Sequence, residues 1–296
     1  MGQMIDLHIH TDKSDGKLTP KEIIDEAIKN NISVVSITDH DTIDAYSDEL
    51  LEYAKKNNIK LIPGVEISTK NERIGIHILG YNINLNNSEL ISTLSKIKNS
   101  RHKYLHDVTK LLISLGYKVN LEKLDLIDTV AKAHIANDIV NNIDNRNILL
   151  RTFNHIPGKG EFIETIMNEG CPGYVKKESI TPKEAVELIK RSGGIPVLAH
   201  PVAYKYEDGL IESDIYKLIK EIGVNIIEAN YIYIDRNENK INESKMFKKF
   251  AKEHNFLCTI GSDFHNFDGI HPKMGLIGED INLTQEEIDK ILKIFE

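Results

Sequence analysis

Short apolar runs alternate with amphipathic segments along most of this chain, and this alternation constrains the fold more than any other feature. Seven runs have strand length, and several are rich in β-branched residues. They cover residues 4–10, 32–38, 60–68, 75–81, 195–199, 224–229 and 257–261. Regular strand–helix alternation favours parallel strands joined by right-handed crossovers. The sequence therefore predicts an α/β fold, with a closed TIM-like barrel preferred for about seven strands and a doubly wound open sheet as the alternative.

Capping signals indicate where the helices begin and end. Capping boxes start at Thr19, Thr181 and Thr284, and the first two place proline at the first helical position. Helical periodicity over 88–115 ends at Gly116, a typical C-terminal cap.

Residues 88–170 interrupt the alternation, because they read mostly as helices and loops. We therefore predict three segments. Residues 1–87 and 171–296 form the barrel, and 88–170 form a helical insertion that covers the substrate.

Charge and cysteine content narrow the function classes. Lys and Arg total 37 against 45 Asp and Glu, for a net charge of -8. Long duplex nucleic acid is therefore not an expected partner, since its binding needs a positive surface. Cys171 and Cys258 do not suggest a disulfide framework, and no apolar run has membrane length. A cytoplasmic protein without a membrane partner is expected, and its oligomeric state is left open.

Histidines and carboxylates collect at the predicted strand ends. His8 and His10 end the first strand, and the two-residue period of a strand puts both on one face together with Asp6. The ends of parallel barrel strands meet at one mouth, where barrel enzymes place their catalytic groups. Nine side chains are therefore expected to converge: His8, His10, Asp15, His40, Glu66, His77, His200, Asp263 and His265.

A shared metal centre explains this set better than nine separate structural roles. A single His-x-His on a strand is more often incidental, but buried and unpaired His and Glu side chains are costly, and one centre employs them all. Two or three ions would take roughly three protein ligands each and keep positions open for water or substrate. Mixed imidazole and carboxylate ligands suit Mn, Fe or Zn better than Ca.

Short motifs surround these residues. They are His8-Ile9-His10-Thr11, Asp15-Gly16, Thr38-Asp39-His40-Asp41, Gly64-Val65-Glu66-Ile67-Ser68, His77-Ile78-Leu79-Gly80-Tyr81, Leu198-Ala199-His200-Pro201 and Gly261-Ser262-Asp263-Phe264-His265. Together they resemble the PHP (polymerase and histidinol phosphatase) family over nearly the whole chain. The resemblance implies a distorted (β/α)7 barrel with a helical insertion subdomain. It also implies a trinuclear centre of divalent ions, with manganese preferred and zinc or iron as the other candidates.

The resemblance also implies a role for each residue. His8, His10, Glu66 and Asp263 would hold one ion. Glu66 would bridge to a second ion held also by His77 and His200, and Asp15, His40 and His265 would hold the third. The candidate catalytic residues are Asp39, His200 and Asp263, with Asp39 and Asp6 expected to orient the ligand imidazoles. No Ser or Cys nucleophile motif stands out, so a metal-activated water is the expected nucleophile.

Within the family, the chain looks most like a stand-alone bacterial branch that hydrolyses nucleoside 3',5'-bisphosphates and short RNA from the 5' end. Asp15 fits that branch, and so does the Lys132-Ala133-His134 segment, although arginine normally stands where this chain has Lys132. Lys132 and His134 are therefore the candidate substrate-binding residues, and the expected partner is a small phosphorylated nucleotide or short RNA. The alternatives are a histidinol-phosphate phosphatase and a non-catalytic metal-binding PHP domain.

Overall fold

The computed structural model describes residues 4–127, 130–176, 178–235, 237–281 and 283–296. The strands are β1 Met4–Ile9, β2 Ile32–Ile37, β3 Lys60–Leu61, β4 Gly64–Lys70, β5 Gly75–Tyr81, β6 Ile195–Leu198, β7 Ile226–Asn230, β8 Ile232–Ile234, β9 Lys240–Asn242 and β10 Leu257–Ile260. The α-helices are α1 Pro20–Lys29, α2 Asp48–Lys56, α3 Ser88–Ser114, α4 Leu121–Asp125, α5 Lys132–Asn141, α6 Arg146–Phe153, α7 Lys159–Phe162, α8 Pro182–Arg191, α9 Pro201–Glu207, α10 Glu212–Ile222, α11 Ser244–His254 and α12 Gln285–Leu292.

All three predicted capping boxes form. Thr19, Thr181 and Thr284 each accept a hydrogen bond from the main-chain N–H three residues later, and the glutamate at that position accepts one in return. Gly116 follows the long helix α3 with φ 98°, a left-handed conformation that glycine adopts without strain. These local signals therefore specified the starts and ends of helices correctly.

The strands form a mixed α/β arrangement. One sheet is parallel and has the order β1-β2-β3. A second sheet is mixed and has the order β10-β7-β6-β5-β4, while β8 and β9 form a separate hairpin. Buried side chains of strands from both larger sheets, among them Leu7, Leu79, Val197 and Ile226, share an apolar cluster with residues of α12. A second cluster packs α1 and α2 against β1 and β2.

The expectation of uniformly parallel pairing is wrong for β5. This strand pairs antiparallel with β4 and with β6, with Ser68 opposite His77 and Ile78 opposite Leu198. Only residues 71–74 separate β4 from β5, and so short a connection permits a hairpin but not a parallel crossover.

The predicted strand 60–68 is interrupted at Ile62 and Pro63, which lie between β3 and β4. Its register along β2 nevertheless continues across the break, since Lys60 lies opposite Val34 and Glu66 lies opposite His40. Proline cannot donate a main-chain hydrogen bond, which accounts for an interruption at this point.

Two isolated parallel bridges connect the two larger sheets. Ile9 pairs with Phe264 beyond the end of β10, and His40, beyond the end of β2, pairs with Glu66 in β4. Both bridges carry main-chain hydrogen bonds, including His10 N to Phe264 O at 2.9 Å and Asp41 N to Glu66 O at 2.8 Å. The bridges bring together the strand ends that carry the candidate ligands.

The chain divides into two compact units, residues 1–94 with 180–296, and residues 95–179. The second unit has its own apolar core, which includes Leu105, Ile135, Leu149 and Phe162. Within the described parts of the chain, no helix is both long and apolar enough to cross a membrane.

Candidate metal centre

Two histidines at the end of β1 lie at the base of the site. His8 and His10 are separated by one residue, so the strand directs both rings to the same face, and both are fully buried. The bend after β1 leads to Asp15, and the extension of β2 leads to His40. These four residues therefore lie at the carboxyl ends of β1 and β2.

The reversal of β5 explains how His77 reaches this end. His77 is the third residue of β5, near the strand's start, whereas the other candidates lie near or beyond strand ends or, for Glu66, beside such an end. Because β5 runs antiparallel, its start lies beside Ser68 of β4, and His77 O accepts a hydrogen bond from Ala199 N at 3.2 Å. His77 is thereby placed next to His200.

Glu66 is surrounded by imidazoles. Oε2 lies 3.3 Å from His8 Nε2, 3.3 Å from His10 Nε2 and 3.0 Å from His40 Nδ1, and Oε1 lies 2.9 Å from His77 Nδ1 and 3.1 Å from His200 Nε2. Glu66 is only 1% exposed. An ordinary ion pair would join this carboxylate to one or two imidazoles. Five ring nitrogens around two oxygens are more than such a pair requires.

Asp263 and Asp15 complete the site on either side. Asp263 Oδ1 lies 3.3 Å from His8 Nε2 and 3.0 Å from His10 Nε2. Asp15 Oδ1 lies 3.2 Å from His265 Nε2, and its Oδ2 lies 3.7 Å from His40 Nε2. All nine residues expected from the sequence are therefore brought together.

Ligand atoms of eight of these residues form three overlapping groups of the size that holds a metal ion, and His200 belongs to none of the three. The groups are His8, His10, Glu66 and Asp263; His10, Asp15, His40 and His265; and His40, Glu66 and His77. The first group coincides with one implied ligand set. The others differ from the implied sets, because His10 joins the group around Asp15, and His40 stands with Glu66 and His77 where His200 was expected.

The hydrogen bonding of these atoms tests whether a metal fits. Among the described residues, His8 Nε2, His10 Nε2, His40 Nδ1, His77 Nδ1 and Glu66 Oε2 are buried without a hydrogen-bond partner. Leaving so many polar atoms unsatisfied is costly, and a bound metal ion would satisfy them, since carboxylate oxygens and the unprotonated nitrogens of neutral imidazoles offer lone pairs to it. A buried set of nitrogen and oxygen donors of this kind fits divalent transition-metal ions.

The acids and imidazoles also shift each other's pKa. Burial lowers the pKa of His10, but its contacts with Asp263 and Glu66 outweigh burial and raise it to about 10. Burial raises the pKa of Asp263, yet the surrounding imidazoles, His8 foremost, hold it well below its ordinary value. Both shifts favour charged groups in a buried place, which is typical of functional sites.

Asp39 has a positioning geometry and lies outside the three ligand groups. Its carboxylate accepts hydrogen bonds from Thr11 N at 2.7 Å, Thr11 Oγ1 at 2.6 Å and Ser14 Oγ at 2.5 Å. Asp39 thus holds the bend that carries Asp15. Asp6 likewise accepts hydrogen bonds from Ser262 and from the Gly275 main chain, so it anchors the chain around the site through these contacts.

Sequence reasoning missed two residues that support the site. Glu228, fully buried in β7, contacts His8 Nδ1 at 3.0 Å, and Tyr231 Oη donates to Asp263 Oδ2 at 2.9 Å. The sequence carries a signal for Glu228, because this carboxylate follows Ile226 and Ile227 inside a run predicted as a buried strand. Tyr231 carries no comparable signal, since tyrosine at a strand end is common.

Lys132 and His134 lie in α5 of the second unit. Lys132 Nζ donates to Met167 O and Asn168 Oδ1, both at 3.1 Å, and His134 Nδ1 accepts from Ala131 N at 3.1 Å. Both side chains therefore have local structural partners, and a substrate contact by either stays a prediction.

The family description "PHP domain" matches residues 6–295. A 5'-3' exoribonuclease of Haemophilus influenzae is 30% identical, with 90% of this chain and 91% of that protein covered. A 3',5'-nucleoside bisphosphate phosphatase of Chromobacterium violaceum is 27% identical, with 88% and 87% covered.

Two solved structures show the same fold. A candidate metal-dependent phosphoesterase from Bifidobacterium adolescentis has a TM-score of 0.70 at 21% identity and covers 98% of this chain. An amidohydrolase from Chromobacterium violaceum, with bound sulfate and no metal, has a TM-score of 0.70 at 24% identity and covers 97% of this chain. The two matches cover 96% of each of those chains, so the likeness extends over the whole fold.

Proposed function

The chain belongs to the PHP domain family, and on that premise we propose that it is a metal-dependent phosphoesterase that hydrolyses small nucleotides. The observation that carries the proposal is the buried Glu66 carboxylate, which five imidazoles approach to within 3.3 Å. A multinuclear metal centre makes use of all these donors, whereas a purely structural network leaves many of them unsatisfied.

The residues that would hold the ions are the nine that converge. We propose two or three divalent ions, with manganese favoured by the family resemblance and zinc or iron compatible with the mixed donors. When bound, such ions supply Lewis acidity toward phosphoryl oxygens and lower the pKa of water enough to make it a nucleophile near neutral pH.

The chain's own residues prepare the site for this chemistry. Tyr231 donates to Asp263 Oδ2, which leaves Oδ1 toward the His8 and His10 rings. His265 Nδ1 lies 2.8 Å from Asp263 O, which leaves its Nε2 toward Asp15. Among the predicted catalytic residues, Asp263 would therefore act as a ligand, and Asp39 would act through the bend it holds. His200 would act as a ligand through its Nε2, which lies 3.1 Å from Glu66 Oε1.

We also propose that the strands close into the distorted (β/α)7, TIM-like barrel that the resemblance implies. The two bridges between the sheets support closure, because each joins an outer strand of one sheet to a strand of the other. In this proposal residues 1–87 and 171–296 form the barrel, and the helical insertion 88–170 serves in substrate selection. A cytoplasmic location remains the expectation from the two free cysteines.

For the substrate, we propose nucleoside 3',5'-bisphosphates or short 5'-phosphorylated RNA. Support comes from the two relatives named above, an exoribonuclease and a bisphosphate phosphatase, which match nearly the whole chain.

A substrate panel tests this proposal. Purified protein with added Mn²⁺ is assayed against nucleoside 3',5'-bisphosphates, short 5'-phosphorylated RNA, simple nucleoside monophosphates, histidinol phosphate and p-nitrophenyl phosphate. We expect kcat/KM to be highest for the bisphosphates or the RNA. A preference for histidinol phosphate over every nucleotide would contradict the proposed substrate, and no hydrolysis of any ester would contradict the enzyme.

A further inference from the structure

Glu228 connects two candidate ligands that come from different strands. Its Oε1 and Oε2 lie 3.0 Å and 3.2 Å from His8 Nδ1, and Oε2 also accepts the main-chain N–H of His200 at 2.9 Å. Glu228 lies outside the three ligand groups and is 1% exposed. Its carboxylate therefore contacts the site through these two histidines.

We propose that Glu228 is the positioning residue of the metal centre, setting the tautomer of His8 and holding the main chain at His200. The inference rests on the proposed function in one respect, because it requires that ions bind these ligands. Glu228 belongs to none of the three ligand groups and to none of the sequence motifs, so this role is new.

The first part of the role concerns the His8 ring. A neutral imidazole has one N–H and one lone pair, so a ring that donates from Nδ1 to a carboxylate presents its lone pair at Nε2. His8 Nε2 faces Glu66 Oε2 and Asp263 Oδ1, each 3.3 Å away. Carboxylates that bond the far nitrogen of a ligand imidazole fix its orientation and raise its basicity.

The second part concerns the backbone of His200. This residue has φ 27° and ψ 61°, a left-handed conformation that is strained for a side chain other than glycine. It precedes Pro201 at the start of α9, where the proline ring restricts its conformation further. The hydrogen bond from His200 N to Glu228 holds this conformation, in which His200 Nε2 lies 3.1 Å from Glu66 Oε1.

Gly261 leaves the space in which Glu228 approaches His8. A Cβ atom built on Gly261 would lie 2.2 Å from Glu228 Oε1 and 2.2 Å from His8 Cβ. Any side chain at this position would displace the Glu228 carboxylate or the His8 side chain. Glycine directly after β10 is therefore a condition for the approach of Glu228 to His8.

The test is the isosteric variant Glu228→Gln. It replaces the carboxylate by a neutral amide, whose oxygen accepts hydrogen bonds but whose NH2 group cannot. His8 Nδ1 therefore loses one of its two oxygen contacts and the negative charge that favours a ring protonated at Nδ1. We expect the affinity for at least one ion to fall about 10- to 100-fold. Calorimetric titration with Mn²⁺ or Zn²⁺ and elemental analysis of the loaded protein measure this loss without any substrate.

The tautomer of His8 is a second measurement. If Glu228 had only a structural role, the tautomer would not change in the variant. Long-range ¹H–¹⁵N spectra of the Zn²⁺-loaded protein are expected to show His8 protonated at Nδ1 in the wild type. The Glu228→Gln variant is expected to populate the other tautomer. Glu207→Gln is the matched control, because Glu207 is an exposed glutamate that accepts a hydrogen bond from Tyr233 Oη at 3.0 Å.

The outcomes separate this inference from the proposed function. Wild-type ion affinity together with an unchanged His8 tautomer in folded Glu228→Gln would overturn the inference while leaving the enzyme proposal intact. A wild type that binds ions but hydrolyses no phosphate ester would overturn the enzyme proposal alone. If Glu228→Gln does not fold, Glu228→Asp keeps the buried charge on a shorter side chain. It is expected to weaken one ion by roughly 10-fold, and unchanged binding there would equally overturn the inference.

Discussion

At the scale of single residues, the site depends on where each lone pair points. His8, His10, His200 and His265 direct Nε2 at neighbouring carboxylates, whereas His77 directs Nδ1 at Glu66. For His8 and His265 the opposite nitrogen lies within hydrogen-bonding distance of a protein oxygen. The orientations of these two rings are therefore set by contacts of their second nitrogen, which is how metal-binding imidazoles are usually fixed.

Removing Asp263 is expected to nearly abolish activity. Asp263→Ala takes away an oxygen within 3.3 Å of both His8 Nε2 and His10 Nε2, and we expect kcat/KM to fall by about 100-fold or more with fewer bound ions. Activity assays and elemental analysis measure the two effects.

The matched control is Asp268→Asn, five residues along the same loop. Asp268 accepts hydrogen bonds from the main chain of Ile270 and His271 and lies outside the three ligand groups. It should keep activity and ion content. Full activity in Asp263→Ala would exclude Asp263 as a ligand.

At the scale of elements, two kinds of signal operate. Capping boxes are local, because their hydrogen bonds join residues three positions apart, and all three formed where the sequence indicated. The direction of β5 relative to β4 is also local, because the short connection 71–74 allows only a hairpin. Its pairing with β6 is not local, because β6 is more than a hundred residues away in the chain.

The capping box of α8 should stabilise the fold by a measurable amount. Thr181→Ala removes the hydroxyl that accepts from Glu184 N, and the free energy of unfolding should fall by about 1 kcal/mol. Urea denaturation measures this. Glu187→Ala on the same helix breaks only an exposed contact with Arg191 and should cost close to nothing.

The Glu184 side of the same box should depend on pH. Main-chain and hydroxyl hydrogen bonds from Thr181 hold the pKa of Glu184 below its ordinary value. Its stabilisation is therefore present above that ordinary value and is lost as pH falls through the lowered pKa. The stability difference between wild type and Glu184→Ala should shrink when urea titrations move from pH 6 toward pH 3.5, and a difference that grows in acid would contradict this account.

Lys132 tests whether the insertion selects the substrate. Lys132→Ala should remove much of the preference for nucleoside 3',5'-bisphosphates over p-nitrophenyl phosphate, since the lysine would hold the second phosphate away from the reacting one. We expect a loss of about 1 kcal/mol in relative kcat/KM. Steady-state kinetics with both substrates measure it.

Lys132 also bonds Met167 O and Asn168 Oδ1, so stability must be followed in parallel. Thermal unfolding of the variant reports the loss of those two bonds. An equal fall in kcat/KM for both substrates, with a lowered Tm, would mean that Lys132 supports the structure of the insertion and does not choose the substrate.

At the scale of the whole molecule, the candidate ligands connect strands that are distant in the chain. His8 lies in β1, Glu66 in β4, His77 in β5, and Asp263 beyond β10. Ions bound to these residues would join strands of both larger sheets. Binding to the folded state alone stabilises that state, by about 2.7 kcal/mol at an ion concentration of 100 times Kd.

Chelation should therefore remove both activity and stability, reversibly. We expect protein treated with EDTA, and shown to be metal-free by elemental analysis, to lose hydrolysis and to unfold at a lower Tm. Added Mn²⁺ should restore both, and reconstituted protein should contain two or three ions per chain. Full activity in metal-free protein would contradict the mechanism, and fewer than two ions under every loading condition would contradict a multinuclear centre.

The amino-acid sequence by itself determined the local features and the identity of the converging residues. Strand periodicity put His8 and His10 on one face, and capping boxes placed three helix starts. The motifs selected the eight side chains of the three ligand groups and also His200, which contacts Glu66. These features depend on residues close together in the chain, where spacing alone decides which side chains share a face or a hydrogen bond.

Tertiary structure alone decided how those residues are grouped and supported. The antiparallel β5 puts His77 beside His200, His40 stands with Glu66 and His77, and Glu228 reaches His8 across 220 positions of the chain. Lys132, expected at a phosphate, is bonded to the main chain of its own unit. Contacts of this kind depend on strand order, on direction and on the space left by Gly261, and no pattern within one segment specifies them.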